Sequence, residues 1–414
     1  AEQGMTSCIV PQWLVWRRFE ALPPGVVLFK GCNKVQTKHM FAARRAGHRV
    51  AAIEEEALGL SLASELERQF DPRIADACDL VLAQGEHLKE ILLSKYPRLT
   101  DRIATTGNPR ADLLRPPFSN QIKAAGQKLR DTLGRYVLIN TNIGAINPRV
   151  EDTYALFQMC RTVGIIDPDN PEDWSEFLER CEWERGNLDL LTKVIGTYLT
   201  DPAAPKLVIR PHPAEDVSKW REAYRDEPRV SIVQEGDHAP WTAGATLMLH
   251  TGCTTGLEAA LLETPVVCLE GGQSTWHQVH TSNHVNPTAP DVEHAMALIN
   301  RALYQQRDVP DLTAHQCEAI ERHVLPWPAD LAANRVVGAI RRLAATLGTD
   351  ASLATIPAVF EEQDFQTTED KIDSRAFNTK AITKIAKRFA ADLKFNATPI
   401  VTSTGTGIIT ISPG

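Results

Sequence analysis

Residues 246–270, TLMLHTGCTTGLEAALLETPVVCLE, contain the pattern that decides the fold class. An apolar run at 247–249 is followed by small residues at 251–256, a helical stretch at 257–262 and a second apolar run at 265–269. This order is typical of a βαβ unit in a parallel sheet. A turn with a threonine N-cap would explain the small residues. An alternative is an anion site, because a helix N-terminus carries unpaired N–H groups and a partial positive charge.

The same alternation extends along the chain and predicts an α/β fold with two series of strands. They are expected at 26–30, 49–53, 80–84 and 103–106, and then at 136–142, 206–210, 230–233, 247–250 and 265–269. A chain of 414 residues is long enough for two separate cores. We predict an N-terminal Rossmann-like domain over residues 1–125 and a C-terminal one over 126–345. A linker, an amphipathic helix and a tail are expected over 346–414. Because the sequence begins with Ala1 rather than Met, the natural start of the first domain is left open.

Composition narrows the class of protein. Hydrophobic residues make up 43% of the chain and charged residues 23%, which is typical of a soluble globular protein. The net charge of −8 gives no support for a nucleic-acid partner. Eight cysteines occur without a C-x-x-C pair, which favours reduced thiols in the cytoplasm over disulfides or a zinc site. No apolar run approaches the roughly 20 residues that span a bilayer.

Three adjacent glutamates, 54–56, follow the predicted strand 49–53. In open α/β sheets the ligand cleft lies beyond the carboxyl ends of the strands. A carboxylate there has its pKa raised by desolvation and by its neighbours, as a general base or acid requires, and it can also act as a nucleophile. The alternative is a solvated turn.

The stretch Arg210-Pro211-His212-Pro213 follows the predicted strand 206–210 and is the most specific local signal in the chain. Two prolines restrict the backbone on both sides of one imidazole. A histidine donor beside the bidentate fork of an arginine suits a phosphate group. A rigid turn with an incidental histidine is the alternative.

The other polar candidates lie at neighbouring strand ends. Asn140 and Asn142 leave the strand that begins at residue 136, and the stretch 251–258 supplies Thr251, Thr254, Thr255 and Glu258. Because these loops belong to one predicted sheet, we expect them to converge with the RPHP stretch on one side of the cleft and to cradle a phosphate. Glu258 is expected to accept hydrogen bonds from a ribose, and no acidic metal-ligand set accompanies these residues.

Five stretches together carry a resemblance to a known family. They are AIEEEALGL (52–60), TGNPRADLL (106–114), LINTN (138–142), IRPHPAED (209–216) and HTGCTTGLEAALLETPVV (250–267). In order and spacing the chain resembles the bacterial surface-carbohydrate glycosyltransferases of the GT-B type that build capsules and O-antigens. These are related to the retaining β-Kdo transferases and, more distantly, to bacterial sialyltransferases.

The resemblance implies a fold and a reaction. The fold is GT-B, with two Rossmann-like domains facing a cleft and a C-terminal helical extension, and the second domain binds the nucleotide sugar. The reaction is transfer of an ulosonic acid such as Kdo from its CMP donor to a glycan or glycolipid acceptor, without metal or other cofactor. His212, Thr254 and Thr255 would contact the CMP phosphate, and Glu55 or Glu56 would be the catalytic carboxylate. The family's glycine after the acidic pair is Ala57 here.

Alternatives to this function remain open. A UDP-sugar 2-epimerase and a polyol-phosphate transferase share the GT-B frame, and a non-catalytic nucleotide- or glycan-binding protein would need the site but not the reaction. The basic amphipathic helix predicted at 379–395 has two interpretations. Its apolar face packs on the protein, or the helix lies on the inner membrane surface near a lipid-linked acceptor.

Overall fold

A computed structural model describes residues 1–162, 166, 169–304, 313–324, 330–347, 379–404 and 408–414. Two parallel sheets form the centres of two α/β domains, which confirms the predicted fold class. The first sheet contains four strands in sequential order: β2 (Val26–Phe29), β3 (Arg49–Ile53), β4 (Leu80–Ala83) and β5 (Ile103–Thr105). The short strand that precedes them, β1 (Ser7–Ile9), belongs to a different sheet.

The second sheet has the strand order of a complete Rossmann fold. Its strands are β6 (Tyr136–Asn140), β7 (Lys206–Arg210), β8 (Val230–Ile232), β9 (Leu247–His250), β10 (Val266–Leu269) and β11 (Thr288–Ala289). They lie in the order β11-β10-β9-β6-β7-β8 and all neighbours are parallel. Successive strands are therefore added to one side of β6 up to β8 and to its other side from β9 onwards. Sheets of this kind bind ligands in the crevice between the two central strands, at this switch point.

Helices cover these sheets and connect their strands. In chain order they are α1 (Gln12–Val15), α2 (Lys34–Arg45), α3 (Ala63–Arg68), α4 (Ile74–Ala77), α5 (Glu86–Lys95), α6 (Pro109–Asp112), α7 (Ser119–Leu133), α8 (Thr153–Thr162), α9 (Asp173–Tyr198), α10 (Val217–Ala223), α11 (His238–Gly244), α12 (Thr254–Leu261), α13 (Thr281–Val285), α14 (Val292–Tyr304), α15 (Ala314–His323), α16 (Ala332–Ala344) and α17 (Thr379–Asp392). Short 3₁₀ turns occur at Phe19–Ala21, Glu55–Ala57, Pro97–Arg102, Thr275–Val279 and Ala345–Leu347.

The central strands of the second sheet are mostly apolar because both faces of that sheet are covered. All five residues of β6 are buried, and so are all four of β9 and of β10. One core cluster joins alternate residues of the central strands to α9 and α14, and another joins the opposite face to Trp241 of α11. Such continuous apolar runs are typical of parallel strands between two helical layers.

Two helices connect the domains differently from the sequence prediction. The predicted boundary between residues 125 and 126 lies inside α7, which packs on α11 of the second domain. A Cβ on Gly126 would lie 2.6 Å from the nitrogen of Gly244, so the two backbones approach as only glycine allows. In turn, α16 returns to the first sheet, where Val336 and Ala339 pack against Ile53 and Leu82.

The C-terminal part contains the predicted amphipathic helix and a sheet that the sequence did not predict. Phe389 of α17 contacts Phe118 with ring centroids 5.0 Å apart, so the apolar face of this helix packs on the protein. Strands β12 (Ile400–Thr404) and β13 (Ile408–Ser412) form an antiparallel pair, and β1 adds to β13 as a third strand. The predicted linker lies largely outside the described residues. Among those described, no helix combines the length and apolar character needed to cross a membrane.

Candidate functional site

The polar residues predicted at the strand ends meet at the switch point of the second sheet. Asn140 at the end of β6 is paired in register with Arg210 of β7 on one side and with His250 of β9 on the other. The three loops that follow these strands therefore start at the same level. The NTN loop (residues 140–142), the RPHP loop (210–213) and the threonine loop (251–255) form one edge of the crevice.

A buried glutamate that the sequence analysis did not select holds two of these loops together. One oxygen of Glu215, which is fully buried, accepts from the Thr141 hydroxyl at 2.7 Å and from the backbone N–H groups of Ile143 and His212 at 3.1 and 3.2 Å. The other accepts from the Trp220 indole at 2.9 Å. Burial raises the pKa of this carboxyl, and the four donors oppose that rise. The signal was present in the sequence, because Glu215 is the third residue after the histidine.

The structure defines which ring nitrogen of His212 is free to donate a hydrogen bond. Its Nδ1 accepts a hydrogen bond from the Ala214 N–H at 3.2 Å, so the neutral imidazole carries its proton on Nε2. The side chain is exposed in the crevice, yet partial desolvation and then the cation of Arg180 lower its pKa. At neutral pH, His212 therefore presents an Nε2–H donor. Pro213, beside it, is exposed and its carbonyl accepts from Arg149 at 3.3 Å.

Arg180 of α9 supplies a cation that the sequence analysis missed. Its Nε donates to Oε1 of Glu184 at 2.9 Å, and its guanidinium lies 5.8 Å from the ring centroid of Trp276. The second oxygen of Glu184 accepts from the N–H groups of Ala145 and Ile146 at 2.7 and 3.2 Å, just beyond the NTN loop. Glu184 is fully buried and so fixes both the loop and the cation. No local pattern marks Arg180, because it lies inside a 26-residue helix.

Some polar groups of the threonine loop form hydrogen bonds with the NTN loop or with each other. The Thr251 hydroxyl accepts from the N–H of Asn142 at 3.2 Å, and the Asn142 amide donates to the Gly252 carbonyl at 2.6 Å. The Thr255 hydroxyl lies 2.7 Å from the sulfur of Cys253, which occupies the N-cap of α12 without a side-chain cap hydrogen bond. Helix α12 therefore begins within the threonine loop, and its first turn carries the partial positive charge of a helix N-terminus.

Three predicted ligand residues have other partners. Arg210 is 7% exposed and donates to the carbonyls of Glu235 and Gly236 at 3.0 and 2.8 Å, which closes a turn instead of forming a phosphate fork. Glu258, only 3% exposed, binds Arg110 at 2.8 Å through one oxygen and His238 through the other. The roles predicted for Arg210 and Glu258 therefore do not match their positions.

Asn140 is the third of these residues. It is buried, and its amide nitrogen lies 3.9 Å from the sulfur of Met248. Asn140 therefore contributes to the packing at the end of β6, and Asn142 is the asparagine of this loop that reaches the threonine loop.

The acidic turn, residues 54–56, has one buried and two more accessible carboxylates. Glu54 is 5% exposed and accepts from the N–H groups of Cys32 and Glu56. Burial raises the pKa of Glu54 to about 7, despite these two donors. Glu55 is half-buried and Glu56 is exposed. Ala57 lies in a 3₁₀ turn, so the alanine is accommodated where the resemblance expected glycine.

Hydrogen bonds between the domains bring the acidic turn to the threonine loop. Residues 59–61 run antiparallel to residues 279–281, with the Ser61 and Thr281 N–H groups each donating across at 2.8 Å. The Thr254 hydroxyl donates to the Leu58 carbonyl at 3.4 Å. Gly59 has a φ of +82°, and a Cβ there would lie 2.8 Å from Thr254. The phosphate candidates and the acidic turn therefore flank one crevice.

Comparisons with known proteins give a likeness of fold. No family model matches the sequence, and no curated protein matches it. A solved UDP-GlcNAc 2-epimerase from Neisseria meningitidis bound to UDP-GlcNAc is 16% identical, with 79% of each chain covered and a TM-score of 0.48. The S. aureus protein MnaA, solved with UDP, is 14% identical. The match covers 81% of this chain and 80% of MnaA, with a TM-score of 0.46.

A third solved structure, the wall teichoic acid polymerase TagF, is 12% identical, covers 69% of this chain and 62% of its own, and has a TM-score of 0.38. Structural similarity at these identities and TM-scores does not indicate the activity of this protein. None of the three proteins is described as a Kdo transferase or a sialyltransferase, so that finer relationship stays a prediction.

Proposed function

We propose that this protein is a glycosyltransferase that transfers a sugar from a nucleotide-activated donor to a glycan acceptor. The observation that carries the proposal is His212. Its Nδ1 accepts from the Ala214 N–H, which leaves Nε2–H as the donor, and Arg180 lies close enough to lower its pKa, in the loop next to the switch point of a Rossmann sheet. A fixed donor and a cation at that position suit the phosphate of a nucleotide sugar.

The proposed roles of these residues depend on where negative charge develops during the transfer. When the bond between sugar and phosphate breaks, the departing nucleotide gains negative charge on its phosphate. The His212 Nε2–H, the Arg180 guanidinium and the N-terminal N–H groups of α12 would stabilise that charge, with Thr254 and Thr255 beside them. Because Glu215 and Glu184 hold these groups in place beforehand, little reorganisation is needed during the reaction. We propose that these protein groups suffice without a metal.

The acidic turn would supply the carboxylate across the crevice. We propose that Glu55 or Glu56 deprotonates the acceptor hydroxyl or traps the sugar covalently. Glu54 is buried and accepts the N–H of Glu56, so its part is to position the turn. The hydrogen bonds between residues 59–61 and 279–281 hold the turn next to the threonine loop.

For the donor and its setting, the motif resemblance supports a finer proposal. We infer a CMP-activated ulosonic acid, such as Kdo, as the donor and a surface glycan or glycolipid as the acceptor. The protein would act in the cytoplasm, with peripheral association at the inner membrane. Lys380, Lys384 and Lys387 of α17 are exposed and could meet anionic lipid, while the other face of this helix contacts Phe118.

Calorimetric titration with CMP, UMP, UDP and CDP tests this proposal on the wild-type protein and on His212→Ala. We expect CMP to bind most tightly and its affinity to collapse in His212→Ala. The matched control is His294→Ala, because His294 is an exposed surface histidine paired with Asp291. A preference for UDP would contradict the CMP-sugar proposal and favour a UDP-sugar 2-epimerase or transferase, and a preference for CDP would favour a polyol-phosphate transferase.

A second assay separates an enzyme from a binding protein. Incubation with CMP-Kdo should release CMP, slowly by hydrolysis and faster with an acceptor. Tight CMP binding with no release of CMP from CMP-Kdo under any condition would identify a non-catalytic binding protein.

A further inference from the structure

Helices α8 and α9 present a cluster of aromatic side chains that the proposed chemistry does not use. We name Tyr154, Phe157, Trp174 and Phe177 the aromatic platform. The Trp174 ring lies edge-on to Tyr154 and Phe157, with centroids 5.6 and 4.6 Å apart, and stacks on Phe177 at 5.9 Å. Phe157 and Phe177 are buried, whereas Tyr154 is 58% exposed and Trp174 is 36% exposed. Two aromatic rings are therefore held rigidly at the surface.

The platform is continuous with the loops of the candidate site. The hydroxyl of Thr153, the first residue of α8, donates to the Ala145 carbonyl at 2.9 Å. Ala145 also packs beneath the platform, in one cluster with Phe157 and Phe177. It lies three residues after Asn142, in the loop that Glu184 holds. The aromatic platform therefore stands on the same loop as the predicted nucleotide site.

The helix that carries Trp174 and Phe177 also contacts the first domain. Glu176, on α9 between Trp174 and Phe177, pairs with Arg68 of α3 in the first domain. One turn further along the same helix lies Arg180. The platform and the Arg180 cation are therefore carried by one helix.

We propose that the aromatic platform binds sugar rings of the acceptor glycan, an inference that rests on the proposed transferase function. An aromatic ring buries the apolar C–H face of a sugar while the sugar hydroxyls stay hydrated, and it loses little conformational entropy because it is already fixed.

Two other occupants fit the surface less well. The exposed carboxylate of Glu172 precedes Trp174 by two residues, and its charge opposes an anionic membrane. The exposed large apolar side chains here are Tyr154, Met159, Trp174 and Leu178. That patch is far smaller than the roughly 20–30 residues a side of a stable interface between two protein copies.

Saturation-transfer NMR with the full-length protein tests the proposal. The probes are the methyl glycosides of glucose, galactose, N-acetylglucosamine and Kdo, at millimolar concentration. We expect saturation of the C–H protons of at least one glycoside and a loss of about fivefold in Tyr154→Ala, the effect of removing one aromatic contact. Tyr154→Phe should retain the signal. Tyr304→Ala is the matched control, because Tyr304 is 49% exposed and pairs with Asp201 elsewhere on the second domain.

The outcomes separate this proposal from the proposed function. Saturation that persists in Tyr154→Ala, or that is absent from all four glycosides, would overturn the platform as a sugar site. A change of sedimentation coefficient in Tyr154→Ala would also overturn it, because the surface would then join two copies of the chain. If glycoside saturation depends on Tyr154 while no nucleotide binds, the platform stands and the transferase proposal fails.

Discussion

Replacing Glu54 by glutamine should change how the stability of the protein depends on pH. Burial raises the pKa of this carboxyl from its ordinary value of 4.5 to about 7 in the folded protein. Between these two values the unfolded chain releases the proton while the folded protein keeps it. Rising pH therefore favours the unfolded state, and the stability that Glu54 contributes below pH 4.5 is lost as the pH rises towards 7.

The size of this effect follows from the same two pKa values. Each pKa unit corresponds to about 1.4 kcal/mol, so the full loss is on the order of 3 kcal/mol, and most of it falls between pH 5 and pH 8. The conversion applies because Glu54 is only 5% exposed, so that solvent screens it little. In Glu54→Gln the titrating group is gone, and the free energy of unfolding should fall less over this interval.

Urea unfolding of the wild type and Glu54→Gln at pH 5, 6, 7 and 8 measures the difference directly. Glu20→Gln serves as the control for losing one negative charge, because Glu20 is an exposed glutamate of the same domain. The gap between Glu54→Gln and the wild type should grow by about 2–3 kcal/mol in favour of the variant between pH 5 and pH 8. Parallel curves for the two proteins would refute the reasoning and show that the Cys32 and Glu56 N–H groups fully compensate the burial.

Three further predictions concern the second domain. Gly256→Ala should destabilise the protein by about 1–3 kcal/mol in thermal or urea unfolding, because the new Cβ would lie 2.5 Å from the His250 ring. The control Gly196→Ala has open space around it in α9, and a comparable loss there would contradict this reason. His212→Ala should lower turnover of CMP-Kdo by about 10²–10³-fold. His212→Gln should recover part of the rate, because its amide can donate in place of the Nε2–H. An unchanged rate in His212→Ala would show that this residue does not contact the phosphate. Arg180→Met should weaken nucleotide binding in calorimetry by about tenfold or more, and binding at wild-type strength would show that this cation does not reach the phosphate.

Local sequence patterns were sufficient for the elements and for one part of the site. The strands 49–53, 206–210 and 247–250 have the predicted bounds, because continuous apolar runs between turn residues reflect burial on both faces of a sheet. The convergence of the NTN, RPHP and threonine loops also followed from the sequence, since parallel strands end at one edge. The His212 position was predictable for the same reason.

Tertiary structure decided which side chains face the crevice and which distant elements complete it. A strand buried on both faces gives no sign of which face opens to the site, so the turning of Arg210 towards Glu235 and Gly236 could not be predicted. Arg180 enters from a helix that is distant in the sequence from the NTN and RPHP loops, and Glu184 holds its guanidinium. The pairing of β1 with β13 joins residues about four hundred positions apart. In each case the determining contact is long-range, whereas periodicity and turn chemistry report only on neighbours in the chain.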